Sequence, residues 1–304
     1  MEYILETQNL EKKYKNFKAL NNLNMHIPKG SIYGLIGKNG AGKTTLIRVI
    51  CGLQKPTNGI YSIYGISNTN KKITDARKRM GAIIELPAIR LEATAKDNLK
   101  EQYKIVGLPN YDNLEELLKI VGLAKTGKKK AKNFSLGMKQ RLGIAIALVG
   151  NPDFLILDEP INGLDPEGII EIRELILKLN QEKKITFLIS SHYLDELSKI
   201  ATEYGFIDKG KIIKEISKQE LEKSSRKRIE IKVNNIKECA LYLEQNNISY
   251  EVISDELINI YDLVNISELA IELSKRNCII NGFNEKEESL ENYYINLIGG
   301  NSNV

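Results

Sequence analysis

From the first residue to about residue 215, short runs of β-branched and apolar residues alternate with stretches whose apolar residues recur at helical spacing. YILETQNL, LNMHI and SIYGLIG read as strands, and TTLIRVICGL reads as a helix. MGAIIEL is strand-like, AKDNLKEQYKIVGL and NLEELLKIVGL are helical, and SLGMKQRLGIAIALVG is a further helix. DFLILDEP is apolar enough for a buried strand. PEGIIEIRELILKL, ITFLIS, HYLDELSKI and YGFID then follow as helix, strand, helix and strand. Strands alternating with helices predict a largely parallel sheet covered by helices. The helical patterns in the middle predict an insertion over roughly residues 90 to 140.

The pattern breaks at SKQELEKSSRKR, residues 217–228, which is charged and poor in large apolar side chains, as a linker would be. It then restarts as RIEIKVN (strand), IKECALYLEQN (helix), SYEVIS and LINIYDL (strands), SELAIELSKRN (helix), CIINGF (strand) and SLENYYINLIG (helix). That is a second, small α+β unit. The expected domains are residues 1–220 and 225–304.

Composition adds little and excludes some classes. The 304 residues carry a net charge of +5, too mild to argue for a nucleic-acid partner. Three cysteines, Cys51, Cys239 and Cys278, form no CxxC pair, which fits a reducing compartment and argues against a zinc site. The opening MEYILETQNL lacks a signal-peptide pattern. The longest apolar runs, IAIALV and FLIL, are core-sized and fall far short of a membrane span. Membrane spans, where needed, are expected on another chain.

GKNGAGKTTL, residues 37–46, carries the first chemistry. Gly37, Gly42, Lys43 and Thr44 fit G-x-x-x-x-G-K-[ST], and the loop lies between an apolar strand and a helix, as a phosphate cradle requires. Glycines let successive N–H groups turn toward one anion, and the helix N-terminus adds partial positive charge. Lys43 is expected on the β- and γ-phosphates and the Thr44 hydroxyl on Mg²⁺, with Asn39, Gly40 and Thr45 completing the nucleotide set. DFLILDEP supplies two carboxylates at a strand end. Asp158 is expected to hold Mg²⁺, and Glu159 to polarise an attacking water as general base.

Three further motifs narrow the class. FSLGMKQRL (residues 134–142) precedes DFLILDEP, NGLDP (162–166) follows it, and ISSH ends at His192. With the phosphate loop, this order resembles the ATP-binding subunits of ABC (ATP-binding cassette) transporters over residues 1 to about 215. The resemblance implies an α/β P-loop domain with an antiparallel β part and a helical subdomain at about residues 90–150. The family signature reads LSGGQ; here Phe134, Ser135, Leu136, Gly137 and Met138 stand in its place. Ser135 can cap the helix, and its hydroxyl with the Gly137 N–H can meet a γ-phosphate. The resemblance implies that this phosphate belongs to a second, partner cassette, so that ATP is sandwiched in a dimer, a homodimer by expectation. It also implies a switch role for His192 on the γ-phosphate, a coupling role across the dimer for Asp165, and adenine stacking for Tyr14 in EKKYKNFKAL.

MGAIIELPAIR departs from most of the family, which has a glutamine where this chain has Glu85. The glutamine touches Mg²⁺ and relays nucleotide state to the membrane subunit. A glutamate adds negative charge there and cannot donate an amide hydrogen bond. Glu85 with the following LPA resembles the subgroup of exporters giving resistance or self-immunity against bacitracin, lantibiotics and similar peptides. The resemblance implies an ATPase at the cytoplasmic face of the membrane, working with separate permease subunits. Another exported small molecule or lipid is the alternative cargo. A soluble ABC protein acting on ribosomes or DNA usually carries two cassettes or a long coiled coil; this chain has one phosphate loop and no sustained heptads. A sensing module would have lost catalytic residues, whereas Lys43, Asp158, Glu159 and His192 are all present. KTGKKKAKN, residues 125–133, reads as a solvated basic loop, with electrostatic contact to anionic lipid or the permease as the alternative.

Overall fold

The computed structural model describes residues 2–108, 110–224, 228–286 and 290–299. They divide into two compact units, residues 1–218 and 219–304.

The first unit opens with a long hairpin, β1 (Tyr3–Tyr14) and β2 (Phe17–Pro28), which with β4 (Asn58–Ile63) and β5 (Ile66–Ser67) forms an antiparallel sheet in the order β2-β1-β4-β5. The second sheet runs β10-β9-β3-β8-β7-β6, from β3 (Ile32–Ile36), β6 (Met80–Ile83), β7 (Phe154–Asp158), β8 (Thr186–Ser191), β9 (Glu203–Asp208) and β10 (Lys211–Ser217). It is parallel except for the edge pair of β9 with β10. Every residue of β3, β7 and β8 is buried. That explains their near-continuous apolar runs: a parallel strand covered on both faces has no polar side to show.

Between the sheets lies α1 (Lys43–Ile50). Leu46, Ile47, Val49 and Ile50 are each fully buried, in one core with Leu20, Leu23 and Met25 of β2 and Phe154 and Ile156 of β7. Burying four such side chains contributes roughly 1.5–3 kcal/mol each, so the start of α1 is fixed by a dense core on two sides. The middle of the unit is helical: α3 (Ala95–Ile105), α4 (Leu114–Ile120) and α5 (Leu136–Ala147) pack on one another, and α5 also packs on β6 and on α6 (Pro166–Lys183). Thr94 caps α3 by accepting from the Asp97 N–H. The lysine-rich stretch 125–133 forms two short turns, with Lys130 and Lys132 on Glu92.

The sequence reading did not anticipate β4, β5, α2 (Ile73–Lys78) or β10. The expected linker also differs. Its first part is the end of β10 and α8 (Lys218–Ser224), while residues 225–227 lie outside the described residues.

The second unit runs β11 (Arg228–Val233), α9 (Ile236–Gln245), β12 (Tyr250–Val252), β13 (Leu257–Ile260), α10 (Ile266–Ser274), β14 (Ile280–Lys286) and α11 (Leu290–Gly299). Its antiparallel sheet has the order β12-β13-β11-β14, a split βαβ arrangement. Cys239 and Cys278 are fully buried together in its core. Burial pushes the Cys239 thiol up to about 12, and does the same for Cys51 in the first unit. Neither is a ready nucleophile.

Candidate nucleotide and hydrolysis site

Three neighbouring parallel strands deliver the site. In β3-β8-β7, Ile36 pairs with Ser191 and Asp158 pairs with Ser190, so the loops leaving these strands open at one sheet edge. Ligand sites of open α/β sheets form outside such carboxyl ends.

The phosphate loop bridges β3 to α1. Two glycines are required by space as well as by conformation. A Cβ on Gly37 would sit 2.5 Å from the Ile207 carbonyl oxygen. Gly42 has φ +113°, and a Cβ there would meet the Ala19 carbonyl oxygen at 2.7 Å. Asn39 and Gly40 are exposed at the loop tip, and Thr44 and Thr45 follow Lys43 in the first turn of α1, half-buried. Lys43 is only 6% exposed. Its Nζ donates to the Gly37 carbonyl oxygen at 2.6 Å and lies 3.4 Å from Glu159 Oε1. A buried ammonium whose neighbours are its own loop's carbonyl and one carboxylate is placed to receive an anion.

Asp158 is 2% exposed at the end of β7. Glu159 follows with φ +51°, a left-handed conformation uncommon for a non-glycine residue. The turn swings its side chain out of the strand register, so that Glu159 Oε2 lies 2.7 Å from His192 Nδ1 while Oε1 faces Lys43. Lys43, Asp158, Glu159 and His192 therefore stand together. The sequence reading missed Ser190, which organises them. Its hydroxyl donates to Asp158 Oδ1 and accepts from the Glu159 N–H at 3.0 Å, and its carbonyl accepts from the same N–H at 3.1 Å. The only sequence signal was its place two residues before His192; the pairing of β7 with β8 is what gives it meaning.

The other candidates have local partners of their own. Ser135 caps α5, accepting from the Met138 N–H at 3.2 Å, and Asp165 caps α6, accepting from the Gly168 N–H at 3.0 Å. The two helix starts adjoin, with the Cβ position of Gly137 3.7 Å from Gly168 Cα. Tyr14 is 40% exposed at the end of β1, and its hydroxyl donates to Gln54. Glu85, two residues past β6, pairs with Arg48 Nη2 at 2.6 Å and is not drawn to Asp158.

Among the described residues no cluster of three or more His, Cys, Asp or Glu side chains is arranged to cage a metal. Magnesium shared with a nucleotide needs no such cage, since it binds through one or two carboxylates, a hydroxyl and phosphate oxygens. Asp158 and Thr44 supply hard oxygen donors of that kind, so the residues fit the ion.

A glycine-built loop opening a helix, with a buried lysine, a strand-end Asp-Glu pair and a histidine just past the end of the neighbouring strand, defines a P-loop nucleotidase. Residues 20–162 match the ABC transporter family. The bacitracin transport ATP-binding protein BcrA of Enterococcus faecalis is 41% identical over 99% of this chain and 98% of its own length. The lantibiotic transport ATP-binding protein SrtF of Streptococcus pyogenes is 45% identical over 70% of this chain and 90% of its own. A solved dimeric ATP-binding cassette with bound ADP and Pi superposes with a TM-score of 0.63 at 26% identity, over 70% of this chain and 98% of that one. The chain belongs to the ABC transporter family, as an ATP-binding subunit that hydrolyses ATP in the service of transport.

Ser190→Ala tests the newly found organiser. Asp158 loses its hydroxyl donor, while the Glu159 N–H keeps the backbone carbonyl. Steady-state ATPase is expected to fall roughly 10–100-fold, as for lost partners behind a metal ligand, with a melting temperature lower by a few degrees because a buried carboxylate loses a donor.

Proposed function

We propose that this chain is the ATPase of an exporter acting on membrane-active antimicrobial peptides, giving resistance or self-immunity, and that it works as a pair of cassettes beneath a separate permease at the cytoplasmic face of the membrane. The observation that carries the hydrolytic role is the placement of the Glu159 carboxylate between Lys43 and His192 at the mouth of the phosphate loop. Lys43 and the loop amides bind the β- and γ-phosphates; Glu159 takes the proton of the attacking water, and His192 holds that carboxylate and the γ-phosphate. Thr44, Asp158 and Glu85 are the proposed magnesium-side residues, the ion neutralising phosphate charge when bound. Tyr14 offers its exposed face to adenine.

Pairing is supported by the dimeric relative with bound ADP and Pi. The N-terminus of α5, capped by Ser135, suits the γ-phosphate of a second cassette. No helix among the described residues is long and apolar enough to cross a membrane, so the translocation path is assigned to a partner. The peptide cargo rests on Glu85 and on the bacitracin and lantibiotic relatives.

The test is a pull-down of the chain at natural expression from gently solubilised membranes, followed by deletion. Recovery of a polytopic membrane protein, and sensitivity of the deletion strain to bacitracin-like or lantibiotic peptides, is the expected result. A permease with no change in peptide sensitivity would move the cargo to another small molecule or lipid. Ribosomes or nucleic acid in place of a permease would overturn the exporter reading.

A further inference from the structure

The Arg48–Glu85 pair joins the last turn of α1 to the segment that leaves β6. The guanidinium Nη2 donates to Glu85 Oε1 at 2.6 Å, and Arg48 is the only ion-pair partner of Glu85 among the described residues. Glu85 has φ +63°, a sparsely populated conformation for a residue with a side chain, and Leu86 beside it is 80% exposed. The carboxylate is thus held at a bend in an exposed segment by one contact.

Where that contact falls matters. Thr44 and Arg48 are i and i+4 on α1, so they share a helix face, one turn or ~6 Å apart along the axis. The hydroxyl assigned to the metal side of the nucleotide and the guanidinium that holds Glu85 lie in one row. The residue that holds Glu85 is thus one helical turn from the residue assigned to the metal side, and the carboxylate cannot give its full charge to both. A glutamine at position 85 would carry no charge for Arg48 to hold.

We propose that Arg48 is a positioning residue that competes with the metal–nucleotide complex for Glu85, setting how strongly magnesium and ATP reinforce each other's binding. The proposal rests on the nucleotide and metal assignment above. In the observed arrangement Arg48 holds Glu85 and the 84–86 bend. Engagement of Glu85 on the metal side requires breaking that pair, which carries the bend with it. A ligand shifts such an equilibrium only through differential affinity, and the charge of Arg48 sets the difference here.

The measurement is calorimetric ATP affinity of the full chain in a Glu159→Gln background, with and without magnesium. The ratio of the two affinities is the readout. Arg48→Met is expected to raise that ratio about two- to fivefold, the range of an exposed ion pair. Arg48→Lys, which keeps the charge and loses the fork, should fall between. In Glu85→Gln, Arg48→Met should leave the ratio unchanged. Direct repulsion between the guanidinium and the metal would persist in Glu85→Gln, so an undiminished shift there overturns the proposal. An unchanged or lowered ratio in the Arg48→Met chain with Glu85 intact overturns it as well. Melting temperatures without nucleotide should be alike across the set if the pair acts through Glu85 and not through folding. Failure of the Glu159→Gln parent to bind ATP at all would instead overturn the nucleotide reading on which the proposal stands.

Discussion

Glu159→Gln removes steady-state ATP hydrolysis by roughly 10²–10⁴-fold, the span of a lost general base, and leaves ATP bound. An amide is nearly the same size as the carboxylate; its one oxygen can still face Lys43 while its NH2 takes the place of the oxygen beside His192 Nδ1, and it takes no proton at neutral pH. The left-handed backbone at this position, φ +51°, burdens glutamine no more than glutamate. None of the phosphate-binding groups is touched: Lys43 keeps its bond to the Gly37 carbonyl, and Gly42 keeps the turn that opens α1. With the bond-breaking step blocked, the proposed pair of cassettes should accumulate as an ATP-loaded dimer, seen as a shift to twice the mass on size exclusion with ATP and magnesium. Turnover at the parent rate would transfer the base to another group. Loss of ATP binding along with turnover would mean that the carboxylate shapes the loop.

Much of the candidate site was legible because its motifs are local. Gly37 to Thr45 is one continuous loop and helix start, and the Asp158–Glu159 pair ends a strand whose apolar run announces burial. The parallel core was legible for the same reason: β3, β7 and β8 are buried on both faces and read as unbroken apolar stretches. Some strands covered on one side were not. β10, Lys-Ile-Ile-Lys-Glu-Ile-Ser, is exposed or half-buried throughout and reads as charged, yet Glu215 on it binds the His26 ring at 2.8 Å and the Tyr33 hydroxyl at 2.7 Å, joining the two sheets. β4 and β5 sit among Asn, Gly and Ser that signal turns, and pairing with β1 overrides that local preference. Ser190 and Arg48 were invisible for a related reason. A serine in a buried strand and an arginine on a helix acquire a role only when β7 pairs with β8, and when the chain after β6 turns back over α1.

Lys43→Met should separate binding from folding. The two side chains are of similar length, and the change removes an almost fully buried charge along with its bond to Gly37 and its approach to Glu159. Relief of ammonium desolvation works against the loss of those partners, and Glu159 retains His192. The nucleotide-free melting temperature should therefore move by only a few degrees, the response of a domain this size to about 1 kcal/mol. Binding behaves otherwise. Hydrogen bonds from a charged donor contribute about 1.5–3 kcal/mol, so ATP affinity should fall roughly 10–100-fold. At an ATP concentration one hundred times the parent Kd, the parent gains about 2.7 kcal/mol of stability from the ligand. A hundredfold weaker variant gains only about 0.4 kcal/mol under the same conditions. A thermal-shift experiment then reads the difference directly: near-equal curves without ATP, and a larger upward shift with ATP in the parent than in the variant. Equal ATP-induced shifts in both proteins would remove Lys43 from the phosphate site. A collapse of the nucleotide-free variant would make the lysine a structural bridge between its loop and the end of β7, with binding a consequence of that bridge.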